Sequence, residues 1–133
     1  PVADAAVLRL GQTWEQDDAA EVCLRDQSGA AAGPTFVVHG FANGHHESLT
    51  NAGAPAVAAQ ALGSAVRFAA RVAGQRWTGE WAIPLSALGV VPRPGLKLGF
   101  NAGVRRTQGG EWVQWVGSGA TYSLDQAGVI VLE

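Results

Sequence analysis

The chain has 133 residues, of which 47% are hydrophobic and 15% are charged. This length suits one compact domain, and the composition is typical of a globular protein rather than a disordered one. Because the net charge is only −2 and Lys and Arg are not clustered, we expect neither nucleic acid nor a membrane as a partner. Cys23 is the only cysteine, so no internal disulfide can form, and we expect it to be a small structural residue.

Apolar and polar residues alternate along several short segments, which predicts about eight strands in one domain of residues 1–133. This pattern is typical of an all-β fold, an antiparallel β-sandwich. The first three strands are expected at residues 6–10, 21–26 and 35–41. Residues 42–64 are instead rich in Ala, Gly and Asn, and we predict a long loop there. Within this loop, residues 56–62 could form a turn or two of helix because Ala favours helices.

Residues 65–73 and 77–83 form a predicted hairpin whose register follows from its turn. Gly74 and Gln75 make a two-residue turn with Gly first, as a type II′ turn prefers. The resulting register pairs residues that all point inward: Val72 with Trp77, Phe68 with Trp81, and Val66 with Ile83. We therefore predict that both tryptophans of this hairpin are core residues.

The rest of the chain continues the strand pattern after Pro84, which has no backbone donor and ends the hairpin. Residues 85–89 are predicted to form one helical turn that Gly89 closes. Further strands are expected at residues 96–106, 111–117 and 128–132.

Trp112 and Trp115 are three residues apart and therefore point to opposite faces of one strand. A tight turn before this strand would pair Arg106 with Glu111. That pairing would place Trp112 on the face of Arg105 and turn Trp115 toward the core. A turn one residue longer would reverse the two assignments.

Residues 76–89 read Arg-Trp-Thr-Gly-Glu-Trp-Ala-Ile-Pro-Leu-Ser-Ala-Leu-Gly. This segment resembles a strand of the form W-x-x-E-x-x-I-P, followed by a Leu-containing turn, in family 9 carbohydrate-binding modules and their DOMON-like relatives. Residues 14–22, 99–101 and 127–132 resemble three further blocks of the family, in the same order along the chain. The resemblance thus covers most of the sequence.

The resemblance implies a DOMON-like β-sandwich of the immunoglobulin-like, jelly-roll type that binds sugars without cleaving them. In sugar-binding members, the end of a saccharide lies between two Trp rings, and Glu, Arg, Asn and Gln side chains bond its hydroxyls. The resemblance further implies glucan or xylan saccharides as partners and a place in a larger, multidomain polysaccharide-active protein. It implies an extracellular or periplasmic location, and structural calcium is a feature of some members.

A pyranose offers C–H groups on one face and hydroxyls at its edge, so its binding calls for aromatic platforms and planar polar side chains. Trp14 is one candidate platform, because it lies in a polar, acidic segment; the alternative is a Trp that caps one end of the sandwich. For Trp115 the alternative is a Trp buried between the sheets. The resemblance and these patterns together give seven candidate binding residues: Trp14, Glu21, Asn101, Arg105, Trp112, Gln114 and Trp115.

No catalytic motif distinguishes the chain: it has no G-x-S-x-G, P-loop or H-E-x-x-H sequence, and no pair of carboxylates stands out. We therefore predict a non-enzyme.

Asp17 and Asp18 are weak calcium candidates, with a solvated acidic loop as the alternative. Two other functions stay open. One is a structural β-sandwich that mediates protein contacts and binds no small ligand. The other is implied by the resemblance to DOMON-like relatives: a haem-binding electron-transfer domain that would use His39, His45, His46 or Lys97 as an axial ligand.

Overall fold

The computed structural model describes residues 8–74 and 76–133. Within these residues the chain forms eight strands, one α-helix and two short 3-10 helices. The strands are β1 (Ala19–Asp26), β2 (Phe36–Phe41), β3 (His46–Leu49), β4 (Arg67–Ala73), β5 (Arg76–Ala82), β6 (Lys97–Arg106), β7 (Glu111–Gln114) and β8 (Gly128–Val131). The helix α1 spans Ala56–Ala65, and the 3-10 helices span Leu85–Leu88 and Leu124–Gln126. No helix in the described part of the chain is long and apolar enough to cross a membrane.

Six strands form one antiparallel sheet in the order β3-β2-β1-β6-β7, with β8 also paired to β6. The ten residues of β6 allow two partners along one edge: its second half pairs with β7, and its first half pairs with β8. Strands β4 and β5 form a separate antiparallel hairpin. The predicted all-β fold with antiparallel sheets is confirmed.

The two faces of the six-stranded sheet differ because side chains alternate along each strand. One face carries Val22 and Val38, which belong to the main hydrophobic cluster together with Leu62 of α1; we call it the core face. The other carries Glu21 and His39, and we call it the polar face. A smaller cluster around Cys23 and Val37 lies along the polar face, with Leu124 of the second 3-10 helix packed on it.

The hairpin covers part of the core face in the predicted register, with Val72 opposite Trp77 and Phe68 opposite Trp81. Val66 and Ile83 lie beyond the last pair of this ladder, and Gln75 of the predicted turn lies outside the described residues. Trp81 packs against the main cluster, as predicted. Trp77 is half-buried and is not part of that cluster, so the prediction of two core tryptophans is correct only for Trp81.

The structure corrects the predicted loop at 42–64. This stretch contains strand β3 and the whole of α1 apart from its last residue. The helix is longer than the predicted turn or two because Leu62 and Ala59 both reach the main cluster, and such packing stabilises a short helix more than propensity does. The predicted strand at 6–10 is also corrected: residues 8–10 have no regular structure, and residues 6 and 7 lie outside the described part of the chain.

Candidate functional site

A row of side chains crosses the polar face at right angles to its strands. Cross-strand pairing places Glu47 opposite His39, His39 opposite Glu21, and Glu21 opposite Gly103. Gly103 in turn pairs with Gln114. Because directly paired residues of a sheet point to the same side, five strands contribute neighbouring positions to one surface. This polar row is the floor of the candidate site.

His39 occupies the centre of the row and contacts a carboxylate with each ring nitrogen. Its Nε2 lies 2.8 Å from Oε2 of Glu21, and its Nδ1 lies 3.1 Å from Oε1 of Glu47. A neutral imidazole has one N–H and can donate to only one of these carboxylates, whereas an imidazolium donates to both. His39 and Glu21 are both buried. The floor of the site is therefore a fixed hydrogen-bonded unit and not a set of free side chains.

Trp14 lies flat on His39. The two rings are 3.7 Å apart between centroids and inclined by only 11°. The segment that carries Trp14 has no regular structure, and the carboxylate of Asp18 fastens it to the sheet. Oδ1 of Asp18 accepts a hydrogen bond from the backbone N–H of Thr107, and Oδ2 accepts one from that of Arg9. One face of the indole is thus occupied by His39, and the segment is held by a buried charged acceptor.

Trp112 stands nearly perpendicular to Trp14, with 5.9 Å between ring centroids and an interplanar angle of 81°. Its position depends on Gly103, where a Cβ atom would lie 2.6 Å from Cζ2 of the Trp112 ring. The ring can lie across the strand only because Gly103 has no side chain. Arg105, directly opposite Trp112 in the ladder, places its guanidinium carbon 6.0 Å from the Trp14 centroid.

A pocket of about 260 Å³ opens between these groups. Its walls combine aromatic rings with planar polar side chains: Trp14, Glu21, Asn51, Arg105, Trp112, Ala120, Thr121 and Tyr122. The resemblance implies a sugar held between two Trp rings, but Trp14 and Trp112 form two walls of a corner. At their separation and angle, the two rings do not form a parallel pair that could hold a flat ligand between their faces.

Residues 115–127 fold back over the polar face and close one side of the pocket. Asn101 fixes this segment, because its Nδ2 donates to the carbonyl of Val116 and its Oδ1 accepts from the Val116 N–H. Further along, Nε2 of Gln114 donates to the carbonyl of Gly119, and the hydroxyl of Thr121 donates to Oε1 of Gln114. Asn101 and Gln114 therefore shape the pocket wall from behind.

The structure brings four of the seven predicted binding residues to the pocket itself: Trp14, Glu21, Arg105 and Trp112. Asn101 and Gln114 share their face of the sheet but are bonded to the covering segment. Trp115 lies on the opposite, core face, where its ring contacts Phe100 at 5.4 Å. The predicted pairing of Arg106 with Glu111 is observed, so the assignment of Trp112 to the polar face is confirmed. Trp115 is 58% exposed and is not buried between sheets.

The candidate calcium ligands Asp17 and Asp18 already accept backbone hydrogen bonds. The Asp18 carboxylate accepts the two backbone hydrogen bonds described above, and Oδ2 of Asp17 accepts one from the N–H of Thr13. These oxygens face N–H donors, which a cation would have to displace. Among the described residues, no group of three or more His, Cys, Asp or Glu side chains is arranged to hold a metal ion.

The haem candidates do not fit a common axial site. His39 has a carboxylate at each ring nitrogen, so neither is free to ligate iron. His46 lies opposite Gly40 on the core face and bonds the Gly63 carbonyl, whereas His45 packs beside Phe41. Lys97 begins β6, far from all three histidines in the sheet register.

Sequence reasoning did not predict several residues of the site: Asn51, Thr121 and Tyr122 in the pocket wall, and His39 and Glu47 in the polar row, where they do not line the pocket. For His39 a signal exists, since it is the one ionisable residue in the otherwise apolar run Phe36–Phe41, and a buried polar residue in such a run needs a partner. For Asn51 and Tyr122 the sequence contains no comparable signal, because both lie in irregular segments.

No protein-family model matches the chain, and no curated protein or solved structure matches it either.

Proposed function

We propose that this chain is a non-catalytic carbohydrate-binding module whose site is the pocket on the polar face. The observation that carries the proposal is the composition of that pocket: three aromatic side chains, Trp14, Trp112 and Tyr122, converge with the polar groups of Glu21, Arg105 and Asn51. The sequence resemblance to family 9 modules supports the same function. The extracellular or periplasmic location and the larger polysaccharide-active parent protein belong to this proposal.

The aromatic corner suits the C–H face of a sugar ring. Stacking of this kind contributes about 1 kcal/mol per ring beyond the burial of area. His39 covers one face of Trp14, and the guanidinium carbon of Arg105 lies 6.0 Å from its ring centroid. Trp112 offers a further surface at about a right angle to Trp14. With so few platforms and an open pocket, we expect dissociation constants in the micromolar to millimolar range.

The polar groups suit the edge of a sugar ring and do not suit hydrolysis. Glu21 is the only carboxylate among the residues that line the pocket, and His39 already binds it. Glu47 contacts the other nitrogen of the same imidazole, so the His39 ring lies between the two carboxylates. A glycosidase needs two carboxyl groups that flank the bond to be cleaved, and this arrangement does not provide them.

A titration with glucose, xylose and their short oligomers tests the proposal, with tryptophan fluorescence and amide chemical shifts as readouts. We expect Trp112→Ala to weaken binding about tenfold or more, because it removes a stacking surface together with its buried area. Trp115→Ala is the matched control, since Trp115 follows the same strand but lies on the core face. A broad glycan panel that perturbs neither signal, or an equal loss in both variants, would contradict the proposed site.

A further inference from the structure

Arg105 is a half-buried cation with no ionic partner in the described part of the chain. Two other arginines of the sheet form ion pairs: Arg25 with Asp125 at 2.8 Å, and Arg106 with Glu111 at 3.3 Å. Arg105 instead donates from Nη2 to the backbone carbonyl of Glu15 at 3.3 Å. Its Nε is buried and has no hydrogen-bond partner. The Nε of Arg25 is in the same state although Arg25 forms an ion pair, so Arg105 differs from the other two arginines in having no counter-ion.

Glu21 does not act as the counter-ion of Arg105, although both line the same pocket. Oε2 of Glu21 lies 2.8 Å from His39, and the same ring binds Glu47. The carboxylates of the floor are therefore directed to the imidazole, one on each side. The guanidinium of Arg105 therefore lines the pocket without an ion pair among the described residues, next to the Trp14 ring.

We propose that the pocket selects saccharides that carry a carboxylate, namely uronic acid residues, and that Arg105 is the residue that determines this specificity. This inference rests on the proposed function, because it assumes that a sugar ring occupies the aromatic corner. A guanidinium binds a carboxylate through two parallel N–H donors, and charge-assisted hydrogen bonds of this type are about twice as strong as neutral ones. The two terminal Nη groups of Arg105 provide such a pair, because Nη2 has two N–H bonds and donates to one carbonyl, that of Glu15.

The stereochemistry of a uronate suits this arrangement. Its carboxylate replaces the hydroxymethyl group at the edge of the ring, so the C–H face remains free to stack on Trp112. Arg105 is directly opposite Trp112 in the ladder, so one ligand can contact the indole with its face and the guanidinium with its edge. A neutral hexose would leave the charge of Arg105 without a counter-ion.

The test compares methyl glucuronide with methyl glucoside, two ligands that differ only at C6, by calorimetric titration. We expect the wild-type protein to bind the glucuronide about tenfold more tightly, with a ratio that falls as salt is added. Arg105→Gln should bring the ratio close to one, because it weakens the glucuronide far more than the glucoside, which loses only a hydrogen bond to a neutral hydroxyl. Arg105→Lys keeps the charge but loses the planar pair of donors, so it should retain part of the preference. Arg106→Gln is the matched control, because Arg106 pairs with Glu111, and it should leave the ratio unchanged.

The outcomes separate this inference from the proposed function. If methyl glucoside binds the wild-type protein as tightly as the glucuronide, the selection for uronates is wrong and the carbohydrate site stands. If neither ligand binds and no sugar of a glycan panel binds either, the proposed function itself is wrong. A thermal melt of each variant shows whether the fold is retained. If Arg105→Gln lowers the melting temperature strongly, the Arg105→Lys variant is used in its place. An affinity ratio in Arg105→Lys equal to that of the wild type would overturn the role of the planar donors.

Discussion

The two faces of the six-stranded sheet use the same strands for different purposes. On the core face, Val22 of β1 and Val38 of β2 pack against the helix and the hairpin. On the polar face, the neighbouring residues Glu21 and His39 form a hydrogen-bonded pair, of which Glu21 lines the pocket. The segment that most resembles a known family, residues 76–89, lies entirely on the core side. Any such likeness therefore bears on the fold, whereas the proposed ligand site uses the residues that alternate with the core.

Because core and polar residues alternate along each strand, the position of the site depends on the sheet register. A slip of one residue in the pairing of β1 would exchange Glu21 with Val22 and place a carboxylate in the apolar cluster. Burial of an unpaired charge is far more costly than loss of a surface contact. The hydrophobic core thus selects the register, and the register in turn aligns Glu47, His39 and Glu21 in one row.

Among the substitutions that distinguish the two faces, Trp81→Ala is expected to have the largest effect, a loss of stability. Trp81 packs against the main cluster and against Phe68, with 4.2 Å between ring centroids. Because it is half-buried, we expect a loss near the lower end of the range for Trp→Ala substitutions, about 3 kcal/mol in the free energy of unfolding. Urea denaturation measures this loss. Saccharide affinity, measured well below the melting temperature, should stay unchanged because the hairpin does not line the pocket.

Trp77→Ala is the control for that substitution. Trp77 belongs to the same strand and the same side of the hairpin but lies outside the main cluster, so its loss should be clearly smaller. Equal losses for the two variants would contradict the assignment of the core to Trp81. A drop in saccharide affinity with Trp81→Ala would show that the two faces are coupled.

Two glycines in the middle of strands offer a second, matched comparison. A Cβ at Gly40 would lie 2.5 Å from Cη2 of Trp81 on the core face, and a Cβ at Gly103 would lie 2.6 Å from Cζ2 of Trp112 on the polar face. We expect Gly40→Ala to destabilise the protein by about 1–3 kcal/mol through overpacking, with unchanged affinity. Gly103→Ala should displace Trp112 toward the open pocket, with a smaller loss of stability and a larger loss of affinity.

Gly119→Ala provides the reference for both substitutions, because a Cβ at that position has open space around it. Urea denaturation and the saccharide titration, applied to all three variants, give two values for each glycine. If Gly103→Ala lowers stability as much as Gly40→Ala and leaves binding intact, then Trp112 is a structural residue and the pocket is misassigned.

Much of the fold follows from local patterns in the sequence. The register of β4 and β5 could be predicted because the alternation of both strands and the length of their turn agree on it. The same reasoning assigned Trp112 to the face of Arg105, since the ladder between β6 and β7 is anchored by the pairing of Arg106 with Glu111. Both cases involve strands that follow one another closely along the chain.

The remainder of the site depends on contacts that no local pattern encodes. His39 reaches Glu21 because β2 pairs with β1 after an irregular connection, which has no tight turn from which the register could be predicted. Tyr122 and Thr121 reach the pocket because Asn101, about twenty positions earlier in the chain, bonds the segment that precedes them. Strand β3 is short and its residues are all half-buried, so its alternation is too weak to distinguish from a loop.

The smallest expected effect is a pH dependence of the free energy of unfolding, and it arises from Cys23, beside the polar row. Cys23 is fully buried, and burial raises the pKa of its thiol well above the usual range; the charge of Glu21 and a hydrogen bond to it raise that pKa further. In the unfolded chain, the thiol loses its proton above its ordinary pKa of about 8.5. The unfolded state then binds fewer protons than the folded state, so the free energy of unfolding must fall as the pH rises.

We expect Cys23 to lower the stability by about 1 kcal/mol between pH 8.5 and pH 9.5, since the slope approaches 1.4 kcal/mol per pH unit. The measurement is a pair of urea denaturation series, for the wild-type protein and for Cys23→Ala, in the presence of reductant. The cavity in the variant shifts its stability by a constant, whereas the pH slope depends on the thiol, so only the difference in slope is compared. Parallel curves would mean that the thiol ionises in the folded protein. The polar face at Cys23 would then be open to solvent, and the contrast between the two faces would be weaker than the structure indicates.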